Sequence, residues 1–108
     1  MHYDVNPILK EFKESLKKVY GEKLLSLILF GSVARGDSTE ESDIDVLVIL
    51  KNISNFDKEF ETIFNLKMEI ESKYNDLVMI SVFPAAEKDY LTRFSPFFLN
   101  IRKEGIQI

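Results

Sequence analysis

Two short, largely apolar runs, Leu24 to Phe30 and Asp43 to Leu50, lie only about a dozen residues apart in this chain of 108 residues. Runs of this length, bounded by glycine or polar residues, are typical of buried strands. So short a connection leaves no room for the usual helical crossover between parallel strands. The spacing therefore predicts an antiparallel pair. The second strand is apolar on both faces beyond Asp45, which predicts a central position in the sheet.

Helical spacing of apolar residues, or the residues typical of helix ends, marks the rest of the chain. Four helices are predicted in this way, at residues 5–19, about 55–74, 87–94 and 96–104. Gly21 and Gly105 are placed to end the first and the last of them. The pair Ser95-Pro96 is typical of an N-cap followed by proline at the first helical position.

A third strand is predicted at residues 76–83, closed by Pro84. A long helix separates it from the second strand, which favours parallel pairing through a right-handed crossover. The result is an α/β (α+β) fold, a small mixed β-sheet backed by helices, and we expect one domain over residues 1–108. The end of the first strand and the starts of the other two then share one edge. Five residues are expected to converge there: Gly31, Ser32, Asp43, Asp45 and Asp76.

Composition narrows the class of protein. The net charge is −4 and the pI is about 5.0, so the basic footprint of a nucleic-acid-binding protein is missing and no nucleic-acid partner is expected. The chain has no cysteine, which excludes disulfides, thiolate zinc sites and cysteine nucleophiles. No apolar run approaches the ~20 residues of a membrane span, and no signal peptide is evident. We therefore expect a cytoplasmic protein without a membrane partner.

The paired carboxylates Asp43 and Asp45 are the strongest functional signal. Side chains alternate along a strand, so both point to one face, ~6–7 Å apart, and repel each other unless a cation lies between them. Mg²⁺ binds through one or two carboxylates together with substrate phosphates. Gly31 lets the backbone approach a phosphate, and Ser32 offers a hydroxyl and an amide at the start of a helical turn. Arg35 has two open interpretations, a phosphate contact or an ion pair with a nearby acid, Asp37 or Glu41.

A third acid would complete a clamp of two metal ions on the attacking and leaving oxygens. Asp76 is the candidate if the second and third strands start side by side. If the alignment of the third strand is shifted by five residues, Ser81 takes this place instead. Serine is a poor metal ligand, so that alignment leaves a site with two carboxylates. The sequence favours Asp76.

The run Gly31-Ser32-Val33-Ala34-Arg35-Gly36-Asp37, followed by Ser42-Asp43-Ile44-Asp45, resembles the signature of the DNA-polymerase-β-like nucleotidyltransferase superfamily. The short chain is similar to its minimal members, the MNT or MntA-like proteins. The resemblance implies a nucleotidyltransferase fold. It also implies Mg²⁺-dependent transfer of a nucleoside monophosphate from an NTP to a hydroxyl, with release of pyrophosphate. By this resemblance Gly31 and Ser32 match the phosphate-binding pair. The resemblance also implies that Asp43 and Asp45 match the first two catalytic metal carboxylates, with Asp76 as the match to the third.

The resemblance also implies a partner. Some minimal nucleotidyltransferases are antitoxins that add AMP to a tyrosine of a HEPN-domain toxin, which implies ATP as the substrate, two Mg²⁺ ions and a HEPN partner here. A chain of this length has no room for a domain that holds the acceptor, so another chain is expected to supply it. The alternative is a non-catalytic antitoxin that neutralises its partner by masking it. The sequence leaves open whether the chain acts as a monomer or a homo-oligomer.

Overall fold

A computed structural model describes residues 5–37 and 43–108, which form a four-stranded mixed sheet packed between helices. Of the predicted loop 37–42, residues 38–42 lie outside the described residues, and so does the predicted alternative partner of Arg35, Glu41. No helix of the described part combines the length and the apolar character needed to cross a membrane. In chain order the elements are α1 (Asn6–Tyr20), a 3₁₀ turn (Gly21–Lys23), β1 (Leu24–Phe30), α2 (Gly31–Arg35), β2 (Ile44–Leu50), α3 (Phe56–Lys73), β3 (Ile80–Ala86), α4 (Glu87–Thr92), α5 (Pro96–Glu104) and β4 (Ile106–Gln107).

The strand order is β3-β2-β1-β4, with β2 central as predicted. The antiparallel pairing of β1 with β2 and the parallel pairing of β2 with β3 are both confirmed. In this register Asp45 lies between Phe30 of β1 and Ser81 of β3. The two-residue strand β4 pairs antiparallel with β1 and was not predicted.

Apolar residues of β2 support a core on each face of the sheet. On one face Val46 and Val48 are fully buried against Phe12 of α1 and Ile63 of α3. On the other face a smaller cluster lies under α4 and α5. Its fully or nearly buried members are Ile28, Leu47, Ile49, Ala85 and Ile101. Burial on both faces explains why the run after Asp45 carries no polar residue.

Strand β3 begins at Ile80, four residues later than predicted, and it continues through Pro84 instead of ending there. The predicted start, Asp76, lies in the turn after α3, where Asn75 and Asp76 both have φ of +57°. Asparagine and aspartate tolerate this left-handed region better than most residues. Pro84 is compatible with a strand here because β3 is at the edge of the sheet, where a missing N–H need not cost a ladder bond.

A buried ion pair on α3 joins this helix to the start of β3. Lys67 Nζ donates to both carboxylate oxygens of Glu71, at 2.9 and 3.1 Å. Glu71 Oε2 also accepts the backbone N–H of Ile80 at 2.8 Å. On the other side of the strand, Ile44 N–H of β2 donates to the carbonyl of Met79 at 2.8 Å. These two bonds fix where β3 begins.

The last two helices follow the predicted boundaries closely. Ser95 Oγ accepts the backbone N–H of Phe98 at 3.4 Å, which confirms the N-cap, and Pro96 opens α5. The helix ends at Glu104, immediately before Gly105. Helix α4 ends at Thr92, two residues earlier than predicted.

Candidate active site

Three polar side chains from β2 and β3 meet at one end of the sheet. Asp45 and Ser81 are paired residues of neighbouring parallel strands, and Asp43 precedes Asp45 by two positions. A hydrogen bond joins two of these side chains, since Ser81 Oγ donates to Asp43 Oδ2 at 3.0 Å. Asp43 is exposed and Asp45 is half-buried, so one carboxylate faces solvent while the other lies deeper. The predicted convergence of the aspartate pair on one face is confirmed.

Gly31 lies directly against Asp45. It follows β1 with φ of +76°, a left-handed conformation that residues with a Cβ adopt at a cost. A Cβ at this position would lie 2.3 Å from Asp45 Oδ2, far inside van der Waals contact. Glycine therefore serves two needs here, the turn into α2 and the space that the Asp45 carboxylate occupies. Ser32 follows as the second residue of α2 and is half-buried.

The site is electrostatically unfavourable for its own carboxylates. Partial burial raises the pKa of Asp45 above its usual range, and the negative charge of Asp43 raises it further. The positive charge of Arg35 opposes both effects without cancelling them. The pair is thus short of positive charge, which is the condition that a bound cation relieves.

Arg35 of α2 stands beside the pair and makes exposed contacts. Its Nε donates to Asp37 Oδ2 at 3.3 Å, and its Nη1 lies 3.7 Å from Glu104 Oε2 of α5. The predicted ion pair with Asp37 is confirmed, and a phosphate contact stays a prediction. Exposed ion pairs contribute at most about 1 kcal/mol, so the guanidinium can exchange these partners at low cost.

A cavity of about 400 Å³ opens next to these groups. Gly31 and Arg35 line one side of it, and Phe97, Asn100 and Glu104 of α5 line the other. Phe97 also packs against Phe30 and Phe83, with ring centroids 5.6 Å apart in both contacts. The cavity therefore combines the polar side chains of Arg35, Asn100 and Glu104 with the aromatic rings of Phe30 and Phe97, and through Gly31 it adjoins Asp45. Sequence reasoning did not identify Asn100 or Phe97 as part of it, because only the packing of α5 brings them there.

Asp76 does not join the aspartate pair, so the predicted convergence of three acids is wrong. The residue of β3 opposite Asp45 is Ser81, five positions further along the chain. Asp76 is exposed in the turn after α3, where its N–H bonds to the carbonyl of Glu71 at 2.9 Å. Among residues 5–37 and 43–108, no three histidine, cysteine or acidic side chains are grouped so that they could hold a metal ion. The alternative alignment, with Ser81 beside the pair, is the one found.

Comparison with known sequences gives a consistent picture. Residues 9–104 match the family model described as a nucleotidyltransferase domain. The "Putative protein adenylyltransferase MJ0141" of Methanocaldococcus jannaschii is 40% identical over 105 residues, covering 97% of this chain and 99% of that protein. The "Putative protein adenylyltransferase MJ0604" of the same organism is 36% identical over 98 residues, covering 90% of each.

Comparison with solved structures agrees at the level of the fold. A structure described as a "putative minimal nucleotidyltransferase" has a TM-score of 0.61 and 22% identity, covering 99% of this chain and 98% of that one. A chain of a toxin-antitoxin structure with AMP-PNP has a TM-score of 0.60 and 19% identity, covering 89% of this chain and 68% of that one. At these identities the likeness establishes a shared fold and nothing finer.

Proposed function

The chain belongs to the family of nucleotidyltransferase domains and is a nucleotidyltransferase; from this we propose that it transfers AMP from ATP, with Mg²⁺, to a hydroxyl group on a partner protein. The main structural support for the proposal is the Asp43–Asp45 pair, in which Asp45 lies directly against Gly31. Two relatives that match nearly the whole chain carry the name "Putative protein adenylyltransferase", which supports AMP as the transferred group and a protein as the acceptor.

The residues present fit a divalent cation. Asp43 and Asp45 supply hard oxygen ligands, and the pKa of Asp45 is raised by burial first and by the charge of Asp43 second, two effects that a cation between the carboxylates would offset. Bound there, Mg²⁺ would neutralise the charge of the polyphosphate and polarise the phosphoryl group. The space against Gly31 lets the Asp45 carboxylate lie close to the backbone that would receive the phosphates.

The reaction exchanges a phosphoanhydride bond of ATP for a phosphoester bond to the acceptor. The oxygen of the acceptor hydroxyl attacks the α-phosphorus of ATP and forms a new O–P bond. The bond between the α-phosphorus and the oxygen bridging to the β-phosphate breaks, and pyrophosphate leaves with the electron pair. The hydroxyl proton passes to solvent water. We assign binding of the β- and γ-phosphates to Gly31 and Ser32, and charge compensation to Arg35, whose present partners are exposed and easily exchanged.

We propose that the partner is a HEPN-domain toxin and that the pair acts in the cytoplasm, where ATP and Mg²⁺ are available. The support is the shared fold with a chain of a toxin-antitoxin structure bound to AMP-PNP. On this proposal the partner supplies the acceptor hydroxyl.

The test incubates the protein with ATP labelled at the α-phosphate, Mg²⁺ and the protein encoded beside it. Wild type is expected to label the neighbour, and Asp43→Asn/Asp45→Asn is expected to lose labelling. Asp76→Asn is the matched control, because it removes an exposed carboxylate outside the pair. Labelling by the double variant would refute the proposal, whereas loss of labelling in the control would show that Asp76 takes part in the reaction.

A second function, masking of the partner without catalysis, is favoured by one observation: among residues 5–37 and 43–108, no third acidic side chain joins Asp43 and Asp45. The two functions differ in a cell-based assay. If Asp43→Asn/Asp45→Asn still neutralises a co-expressed partner, masking is the mechanism. If neutralisation disappears together with labelling, transfer of AMP is the mechanism.

A further inference from the structure

The position of Ser81 affects how many metal ions the site can hold. The inference about this number rests on the proposed function. Two divalent ions need enough anionic ligands for both. Beside the pair, on the neighbouring strand, stands a neutral hydroxyl that already donates its hydrogen to Asp43. It adds no negative charge to the two carboxylates.

Within the described residues, no other side chain near the pair takes the place of a third carboxylate. No three acidic, histidine or cysteine side chains of residues 5–37 and 43–108 are grouped to hold a metal. The charged group that acts on Asp45 besides Asp43 is Arg35, and its charge is positive. A cation therefore disfavours a second cation at the same place, because like charges raise each other's energy where solvent is partly excluded.

We propose that this site binds one divalent ion with the nucleotide, and that Ser81 is the residue that sets this number. One Mg²⁺ is satisfied by one or two carboxylates together with phosphate oxygens and water. Asp43, Asp45 and ATP supply that set once. A second ion would have to share Asp43, Asp45 and the phosphate oxygens with the first, and among the described residues β3 would add the neutral Ser81 hydroxyl instead of a third carboxylate.

The experiment counts ions without using activity. Mn²⁺ replaces Mg²⁺, AMP-PNP replaces ATP, and equilibrium dialysis measures the Mn²⁺ and the nucleotide that the protein retains. Wild type is expected to hold one Mn²⁺ for each bound nucleotide, with an electron paramagnetic resonance spectrum free of coupling between two Mn²⁺ ions. Ser81→Asp is expected to hold two and to show the coupled spectrum. Ser81→Ala is the matched control and is expected to hold one.

The outcomes separate this inference from the proposed function. Two Mn²⁺ ions per nucleotide in wild type would overturn the inference and leave the nucleotidyl transfer untouched. One ion in Ser81→Asp would also overturn it, because the missing carboxylate would then not be what limits the count. Failure of wild type to retain any Mn²⁺ with AMP-PNP would refute the proposed function itself.

Discussion

Replacement of Gly31 by alanine tests the contact on which the active site is built. Gly31 and Gly36 have similar positive φ values, +76° and +81°, but a Cβ at Gly36 meets no atom within 4 Å. Gly36→Ala should therefore cost only the backbone strain of alanine in a left-handed conformation, about 1–2 kcal/mol. Gly31→Ala carries the same strain and must also displace the Asp45 carboxylate from its preferred rotamer, which adds about 0.5–1.5 kcal/mol.

A double-mutant cycle isolates the second contribution. In Asp45→Ala the carboxylate is gone, and the remaining Cβ lies 3.4 Å from the alanine Cβ at position 31, an ordinary contact. Urea denaturation of wild type, both single variants and the double variant gives the coupling free energy between the two positions. We expect about 0.5–1.5 kcal/mol, equal to the rotamer cost. Gly31→Ala should also lower the transferase rate by about 10²-fold, because it misplaces the Asp45 carboxylate to which we assign a catalytic role.

Two results would refute this reasoning. The first is a Gly31→Ala cost that is the same with and without the Asp45 carboxylate, since the overlap would then not exist. The second is a Gly36→Ala cost as large as that of Gly31→Ala, since strain alone would then explain both. Unchanged transferase activity in Gly31→Ala would show that the contact between position 31 and Asp45 does not affect the reaction.

Three further predictions concern charge and helix ends. The pKa of Asp45 in the folded protein is raised from its ordinary 3.8. Metal-free wild type should therefore lose stability relative to Asp45→Asn as the pH rises from 3.8 through the folded pKa, as measured by urea unfolding in EDTA. A stability difference that does not change with pH would contradict this prediction. Lys67→Met leaves the buried Glu71 carboxylate without its cation and should cost about 3–5 kcal/mol in the same assay. Ser95→Ala removes the acceptor for Phe98 N–H and should cost about 1 kcal/mol; no change would mean the cap is not formed.

Local patterns predicted most of the fold because they coincide with tertiary packing. The apolar run 24–30 is bounded so sharply that β1 could be predicted to the residue. The Ser95-Pro96 pair marked the start of α5 equally well, since a capping hydroxyl and a fixed φ act within one turn. The short spacing between β1 and β2 predicted their pairing direction. All three depend on neighbours in sequence.

The errors occurred where partners distant in sequence decide the structure. The segment Leu77-Val78-Met79 is as apolar as a strand, yet β3 starts only where Glu71 and β2 bind the backbone on either side of it. This shift replaced Asp76 by Ser81 in the site. Strand β4 has two residues and exists through its pairing with β1, so no periodicity could predict it.

The hydrogen-bonding groups on the outer edge of β3 affect how readily two copies of the chain could pair their sheets at high concentration. Because Ile44 pairs with Met79, the alternation of the parallel ladder turns the backbone groups of Ile80, Val82 and Pro84 away from the sheet. The Ile80 N–H is already bound by Glu71, and Pro84 has none, so Val82 and Ala86 are the outward-facing residues of β3 whose N–H groups can donate to an incoming strand. The opposite edge, β4, is only two residues long. Within the described residues, both borders of the sheet therefore offer only a broken series of hydrogen-bond donors to another strand, which disfavours edge-to-edge association.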